Sequence, residues 1–390
     1  MVKPHISKTS LMNMFRCHLL EFLVVGTFFL SPPAGAQITA RDVQIGTNPM
    51  RWEILVRNDH HYTITLQYSF SNLLNASLVS SGGDILAGGT NYYAVVAAKT
   101  EIPLFVIGPA LPGGWTWNWA TSAGKGNALL PEMPDTAHIY RLPYLGGNYH
   151  VGWSYKSYTP YGQPPDYWHL AIDWIMPEWT PVVAARGGKV SAVVESNTGN
   201  GNAAEGNFIE VEHSDSTFAV YIHLVQNGSV VNEGDLVTEG QLIGYSGNTG
   251  ASSGPHLHFH VWRSFVNGSG FVGVQLPVRF FAENGWGFFP RPGRLYKAMD
   301  RADAQKDLQQ SGTVVPTNGI FVVRKTGKDG LLYTPQRSSD LKIWISGPQI
   351  AGNGTTLTQE LSTPSGDPSF FRWATEMESY ADFPDPWAGR

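Results

Sequence analysis

The chain has 390 residues, of which 42% are hydrophobic, 12% aromatic and only 15% charged. That is enough apolar material for two or three packed domains and excludes a mainly disordered chain. The net charge of -5 and the lack of any basic run exclude nucleic acid as an expected partner.

Residues 1–36 read as an export signal. Lys3, His5, Lys8 and Arg16 make a positive start, and an apolar stretch over 19–30 is interrupted only by Glu21, Gly26 and Thr27. Ser31-Pro32-Pro33 breaks it, and Ala34-Gly35-Ala36 forms an A-x-A cleavage site before Gln37. The alternative is a membrane anchor, but an apolar core of about a dozen residues is short of the roughly 20 that a spanning helix needs. The expectation is an exported protein of the periplasm, cell envelope or extracellular space, without a membrane span after cleavage. Cys17, the only cysteine, lies in this segment. The mature chain therefore has no disulfide and no thiolate ligand, and any metal site must use His, Asp and Glu.

The 43 glycines and 26 prolines favour short strands and turns, so the fold class is mainly β. Residues 37–140 read as a β-rich, sandwich-like accessory module, with strands at 52–57, 62–70, 92–98 and 103–107. Trp115, Trp117 and Trp119 alternate on one strand face. A tryptophan row of this kind either stacks on sugar rings or lines the inner face of a small sandwich, and burial of such large rings favours the second. Residues 121–136 read as a loop. A second domain spans 141–299, with strands at 181–185, 190–195, 207–212, 219–223 and 242–245, a spacing that suggests an antiparallel barrel or sandwich. Residues 300–317 read as a linker, with 300–310 either helical or part of it. Residues 318–390 read as a small β module, with strands at 319–325, 331–334, 342–345, 355–360 and 370–373.

The chemistry concentrates in three segments. In Pro255-His256-Leu257-His258-Phe259-His260-Val261 the residues alternate, so a strand here places three imidazoles on one face and three apolar side chains on the other. His169-Leu170-Ala171-Ile172-Asp173 places a histidine and a carboxylate near one strand edge. His223 follows Tyr221-Ile222 at a strand end. Taken singly, each has an ordinary structural explanation. Taken together, they supply what a zinc site without cysteine requires: three His or carboxylate ligands with an open position, and histidines left over to handle protons.

The segment 142–278 resembles the LytM/lysostaphin family of zinc endopeptidases, which act on cell-wall peptides. The resemblance rests on His169–Asp173, on Thr180-Pro181-Val182 through Gly188-Lys189-Val190, on Tyr221–Leu224, on Val231 through Gly244, and on Gly247-Asn248-Thr249-Gly250 through Gly254-Pro255-His256-Leu257-His258-Phe259. It implies an antiparallel barrel-sandwich hybrid fold with the cleft on an open sheet face. It further implies His169, Asp173 and His258 as Zn2+ ligands and His223 and His256 as catalytic histidines. The implied activity is hydrolysis of peptide bonds in peptidoglycan cross-links or stem peptides, by a monomer whose partner is the peptide substrate. The alternative is a zinc-free scaffold of the same type that binds and regulates wall hydrolases. Two positions depart from the family pattern. Ala171 replaces a usual glycine, and His260 stands where the family often has Glu or Gln, as a groove-lining residue, a spare ligand or a partner of a ligand.

Overall fold

The computed structural model describes residues 38–47, 49–81, 86–88, 91–130, 138–154, 170–201, 206–267, 270–308, 313–317, 320–338, 345–353, 355–362 and 370–377. The export signal, His169 and most of the strand expected at 342–345 lie outside them. By its internal contacts the chain divides into two units, Met1–Leu130 with Ser264–Val272, and Pro131–Arg263 with Gly273–Arg390. Among the described residues, no helix is long and apolar enough to cross a membrane.

The first unit contains two four-stranded sheets. One runs in the order Ile38–Thr47, Met50–Asn58, Thr100–Pro109, Ala76–Ser81, and the other Leu86–Gly88, Asn91–Val96, Ile64–Leu74, Thr116–Lys125. The period-2 pattern of Ile64, Leu66, Tyr68 and Phe70 buries all four against Ile54, Val56, Phe105 and Ile107 of the facing sheet. Tyr68 lies 5.2 Å from Phe70 and 5.3 Å from Phe105, centroid to centroid. Trp115, Trp117 and Trp119 pack against this same core, Trp119 at 5.1 Å from Tyr68 and Trp117 at 6.3 Å from Trp52. The row is thus the inner lining of a sandwich. One expectation is corrected: residues 121–125 continue the strand, Thr121 opposite Tyr68 and Lys125 opposite Ile64. Within this strand Gly124 makes room for a ring, since a Cβ there would come within 2.4 Å of Phe271.

The second unit is built on a nine-stranded sheet with the order Leu236–Val237, Gly188–Val194, Asn207–Glu212, Phe218–Leu224, His256–Asn267, Ile172–Ile175, Asn148–Trp153, Leu295–Lys297; Gly270–Leu276 pairs with His256–Asn267 off this path. Its pairings are antiparallel wherever the site is formed. One face buries Ile172, Trp174, Ile209, Val211, Tyr221, Leu257, Phe259 and Val261. A second layer covers them, made by Pro181–Val183 with Leu242–Tyr245 and by Arg279–Ala282 with Gly285–Phe288, through Val182, Ile243, Phe280 and Phe288. The Tyr221 hydroxyl reaches across this core and accepts the Ala185 amide at 2.8 Å. This is the expected antiparallel barrel-sandwich. Arg301–Leu308 forms the short helix, anchored where the Arg301 guanidinium meets Glu239. The strands that follow include Leu331–Ser338, paired with Phe370–Met377. Gly330, at φ +82°, approaches Phe288 so closely that a Cβ would lie 2.4 Å from its Cα.

At the turn between Asn207–Glu212 and Phe218–Leu224, His213 is buried and its Nδ1 lies 3.0 Å from the Gly187 carbonyl, to which it donates. Burial, and then the charge of Arg186, push this imidazole down to about 3. The folded-state value lies below the unfolded one, so its contribution to stability is complete above about pH 6.5 and is lost as the pH falls toward the folded value. Urea unfolding at about pH 7 and about pH 5 should show a wild-type loss larger by about 2 kcal/mol than that of a His213→Asn variant, which keeps a donor but no titration. Equal losses would show that His213 does not carry the acid sensitivity.

Candidate active site

The open face of the nine-stranded sheet carries the polar half of the alternating run. Register places Asp173 and Ile222 on either side of His258, Ile175 opposite His256, and Val220 opposite His260. A carboxylate and an imidazole on adjacent antiparallel strands at a directly opposed pair stand within reach of each other. Here Asp173 Oδ1 lies 3.0 Å from His258 Nδ1 and 3.8 Å from His256 Nε2.

His223 reaches the same place by a different device. Asn207 pairs with Leu224 and Phe208 with Ile222, so His223 is an extra residue in its strand, a β-bulge. Its φ of +65° is left-handed, a conformation that costs a non-glycine residue about 1–3 kcal/mol. In a regular strand His223 would follow Tyr221 into the core; the bulge turns it to the open face. Its ring centroid then lies 4.6 Å from that of His256 and 5.8 Å from that of His258. Among the described residues, His223, His256 and His258 form a group with ligand atoms all within 4.8 Å of one another.

Backbone carbonyls set the tautomers. His223 Nδ1 donates to the Thr249 carbonyl at 2.7 Å and His256 Nδ1 to the Gly254 carbonyl at 2.8 Å. A carbonyl only accepts, so each neutral ring keeps its lone pair on Nε2. The loop holding both carbonyls is itself fastened. The Thr249 hydroxyl donates to the Leu224 carbonyl at 2.7 Å and accepts the Asn207 amide at 3.0 Å. Gly247 passes so near this strand that a Cβ would lie 2.5 Å from the Val225 nitrogen. These loop contacts were not readable as functional from the sequence. The Gly247–Phe259 run marked the segment, but a carbonyl that orients a histidine leaves no trace in residue identity.

The electrostatics follow from burial and proximity. Burial alone would raise the Asp173 carboxyl, but its hydrogen bond from His258 and the nearby charges of His258, His256 and His223 outweigh this and hold it below the ordinary value. Burial pushes the His223 imidazole down to about 4, reinforced by the neighbouring histidines, and that of His260 to about 3. His223 and His260 are therefore neutral near pH 7. One carboxylate facing three imidazoles with free or exchangeable lone pairs is a donor set suited to a divalent ion of zinc type. Of the five sequence-derived site residues the structure brings together four, Asp173, His223, His256 and His258; His169 lies outside the described residues.

Residues 167–270 match peptidase family M23. Lysostaphin of Staphylococcus staphylolyticus is 33% identical over 193 residues, 49% of this chain and 33% of that protein. The peptidoglycan DD-endopeptidase ShyC of Vibrio cholerae is 37% identical over 100 residues, 26% of this chain and 21% of that protein. The chain thus spans a third or less of the length of these relatives. Among solved structures, the catalytic domain of lysostaphin from Staphylococcus simulans is 35% identical, covering 29% of this chain and 79% of that domain, with a TM-score of 0.24.

The Thr249 hydroxyl serves two buried backbone groups, so Thr249→Val strands both while keeping the shape. The expected loss is about 2 kcal/mol in urea unfolding, with Thr249→Ser losing less than half of that. A Val variant as stable as wild type would show that the loop is held by other contacts.

Proposed function

We propose, from the match of residues 167–270 to peptidase family M23, that the protein is an exported zinc metalloendopeptidase that hydrolyses peptide bonds in peptidoglycan. The observation that carries this reading is the convergence of Asp173, His258, His256 and His223 on one open sheet face, two of the rings with lone pairs on Nε2. The peptidoglycan substrate is supported by the relatives named as wall endopeptidases. Export is supported by the character of residues 1–36.

His169, Asp173 and His258 would hold the zinc, with Asp173 neutralising part of its charge. Zinc, when bound, supplies a Lewis acid that polarises the scissile carbonyl and acidifies a water molecule. His223 and His256 flank this position with Nδ1 committed to backbone carbonyls, so each takes a proton only at Nε2. One such ring would accept a proton of the attacking water at Nε2 and pass it to the amine nitrogen as the C–N bond breaks, and the other, with a proton taken from solvent at Nε2, would donate to the oxyanion that develops on the carbonyl.

Elemental analysis of the purified protein should find about one zinc per chain, and a His258→Ala variant should lose both metal and turnover. His256→Ala should keep its zinc while its cleavage of peptidoglycan falls by roughly 10²–10⁴-fold. A folded protein that takes up no zinc would instead support the regulatory scaffold.

A further inference from the structure

His260 is not used by the mechanism above, yet its Nδ1 lies 3.2 Å from Nε2 of His258. The other nitrogen of His258, Nδ1, is the one 3.0 Å from Asp173 Oδ1. His258 is therefore held at both ring nitrogens, by a carboxylate at one and an imidazole at the other. Val220, directly opposite His260 on the neighbouring strand, offers no competing polar group.

We infer that His260 is a positioning residue that sets the tautomer of His258 and so decides whether its Nδ1 lone pair is free for a metal shared with Asp173. The inference rests on the metallopeptidase reading for the identity of that metal.

The argument is a proton count. A neutral imidazole has one N–H and one lone pair, and a carboxylate only accepts. Without metal, a neutral His258 that donates from Nδ1 to Asp173 has its Nε2 bare to accept the Nδ1–H of His260. For Nδ1 of His258 to become a ligand, its proton must leave, and the neutral ring must carry one on Nε2 instead. That new N–H points at His260, which must now accept at Nδ1 and carry its own proton on Nε2. The two rings change tautomer together, with no net gain or loss of protons between them.

The residue at position 260 must therefore both donate and accept at one point in space. Histidine does so by tautomerism and glutamine by turning its amide; an apolar residue does neither. The same geometry argues against His260 as a ligand, because its Nδ1 is engaged at the other ring nitrogen of His258 from the one that faces Asp173. Partners behind metal-binding histidines typically account for 10–100-fold in metal affinity.

Zinc dissociation constants, measured by competition with a chromophoric chelator, should weaken 10–100-fold in His260→Leu and stay within about threefold of wild type in His260→Gln. Melting of the zinc-free variants checks that the Leu protein is folded. Long-range nitrogen–proton NMR of the imidazoles should show both His258 and His260 protonated at Nδ1 without zinc and at Nε2 with it. A His260→Leu protein with wild-type zinc affinity, or unchanged His258 tautomers in both states, would overturn the inference. So would a loss as complete in His260→Gln as in His258→Ala, since His260 would then be a ligand itself. If wild-type protein takes up no zinc, the metallopeptidase reading fails, and the zinc-free NMR alone then decides whether His260 sets the tautomer of His258.

Discussion

The site depends on strand His256–Asn267 having one face in the core and the other open. Leu257, Phe259 and Val261 are buried to within 1%, and each such side chain is worth about 1.5–3 kcal/mol in burial. A one-residue slip against either neighbour would bring these three to the surface and bury three imidazoles. The penalty from the apolar residues alone would be roughly 5–9 kcal/mol, comparable to the whole stability of an ordinary domain. Hydrophobic pairing thus fixes the register, and the register places His258 opposite Asp173. No attraction between the polar groups is needed to bring them together.

Once they are together, the polar groups constrain one another. Asp173 is mostly withdrawn from water, yet stays ionised because its neighbours are imidazoles. Among the histidines of this face, burial chiefly holds the imidazoles of His223 and His260 well below their ordinary value. A carboxylate that holds its charge beside rings that hold their lone pairs is poised for a cation and poorly balanced without one. His223 and His256 lie beside that centre but have Nδ1 fastened to backbone carbonyls. Their orientation is set by the Gly247–Phe259 segment, independently of any metal.

Much of this was legible in the sequence, for one physical reason: strand alternation has period two. It separated His256 and His258 from Leu257 and Phe259 onto opposite faces of one strand. Less legible were features that depend on pairing between distant segments. His223 could be named as a residue but not placed, because its orientation comes from a bulge that exists only relative to Asn207 and Phe208. From sequence the strand at 121–125 reads as a loop, and the ring that its Gly124 accommodates, Phe271, is far away in the chain. Thr249 acts through its carbonyl, which every residue possesses.

The bulge at His223 also shows where conformational strain has been placed. A left-handed histidine costs about 1–3 kcal/mol, but Tyr221 and Leu224, three apart and so on opposite faces of a regular strand, can enter the same core only through such an irregularity. The surroundings enforce it as well. Thr249 ties the loop to Leu224 on one side of the bulge and to Asn207 across from it, while the closeness of Gly247 to Leu224 and Val225 leaves no space for a Cβ. Three hydrogen bonds to Thr249, two through its hydroxyl and one to its carbonyl from His223, are together worth a few kcal/mol, enough to offset the strained residue. The stabilisation supplied by this loop is thus used to hold one imidazole on the open face beside Asp173. An ordinary strand would have turned that side chain into the core.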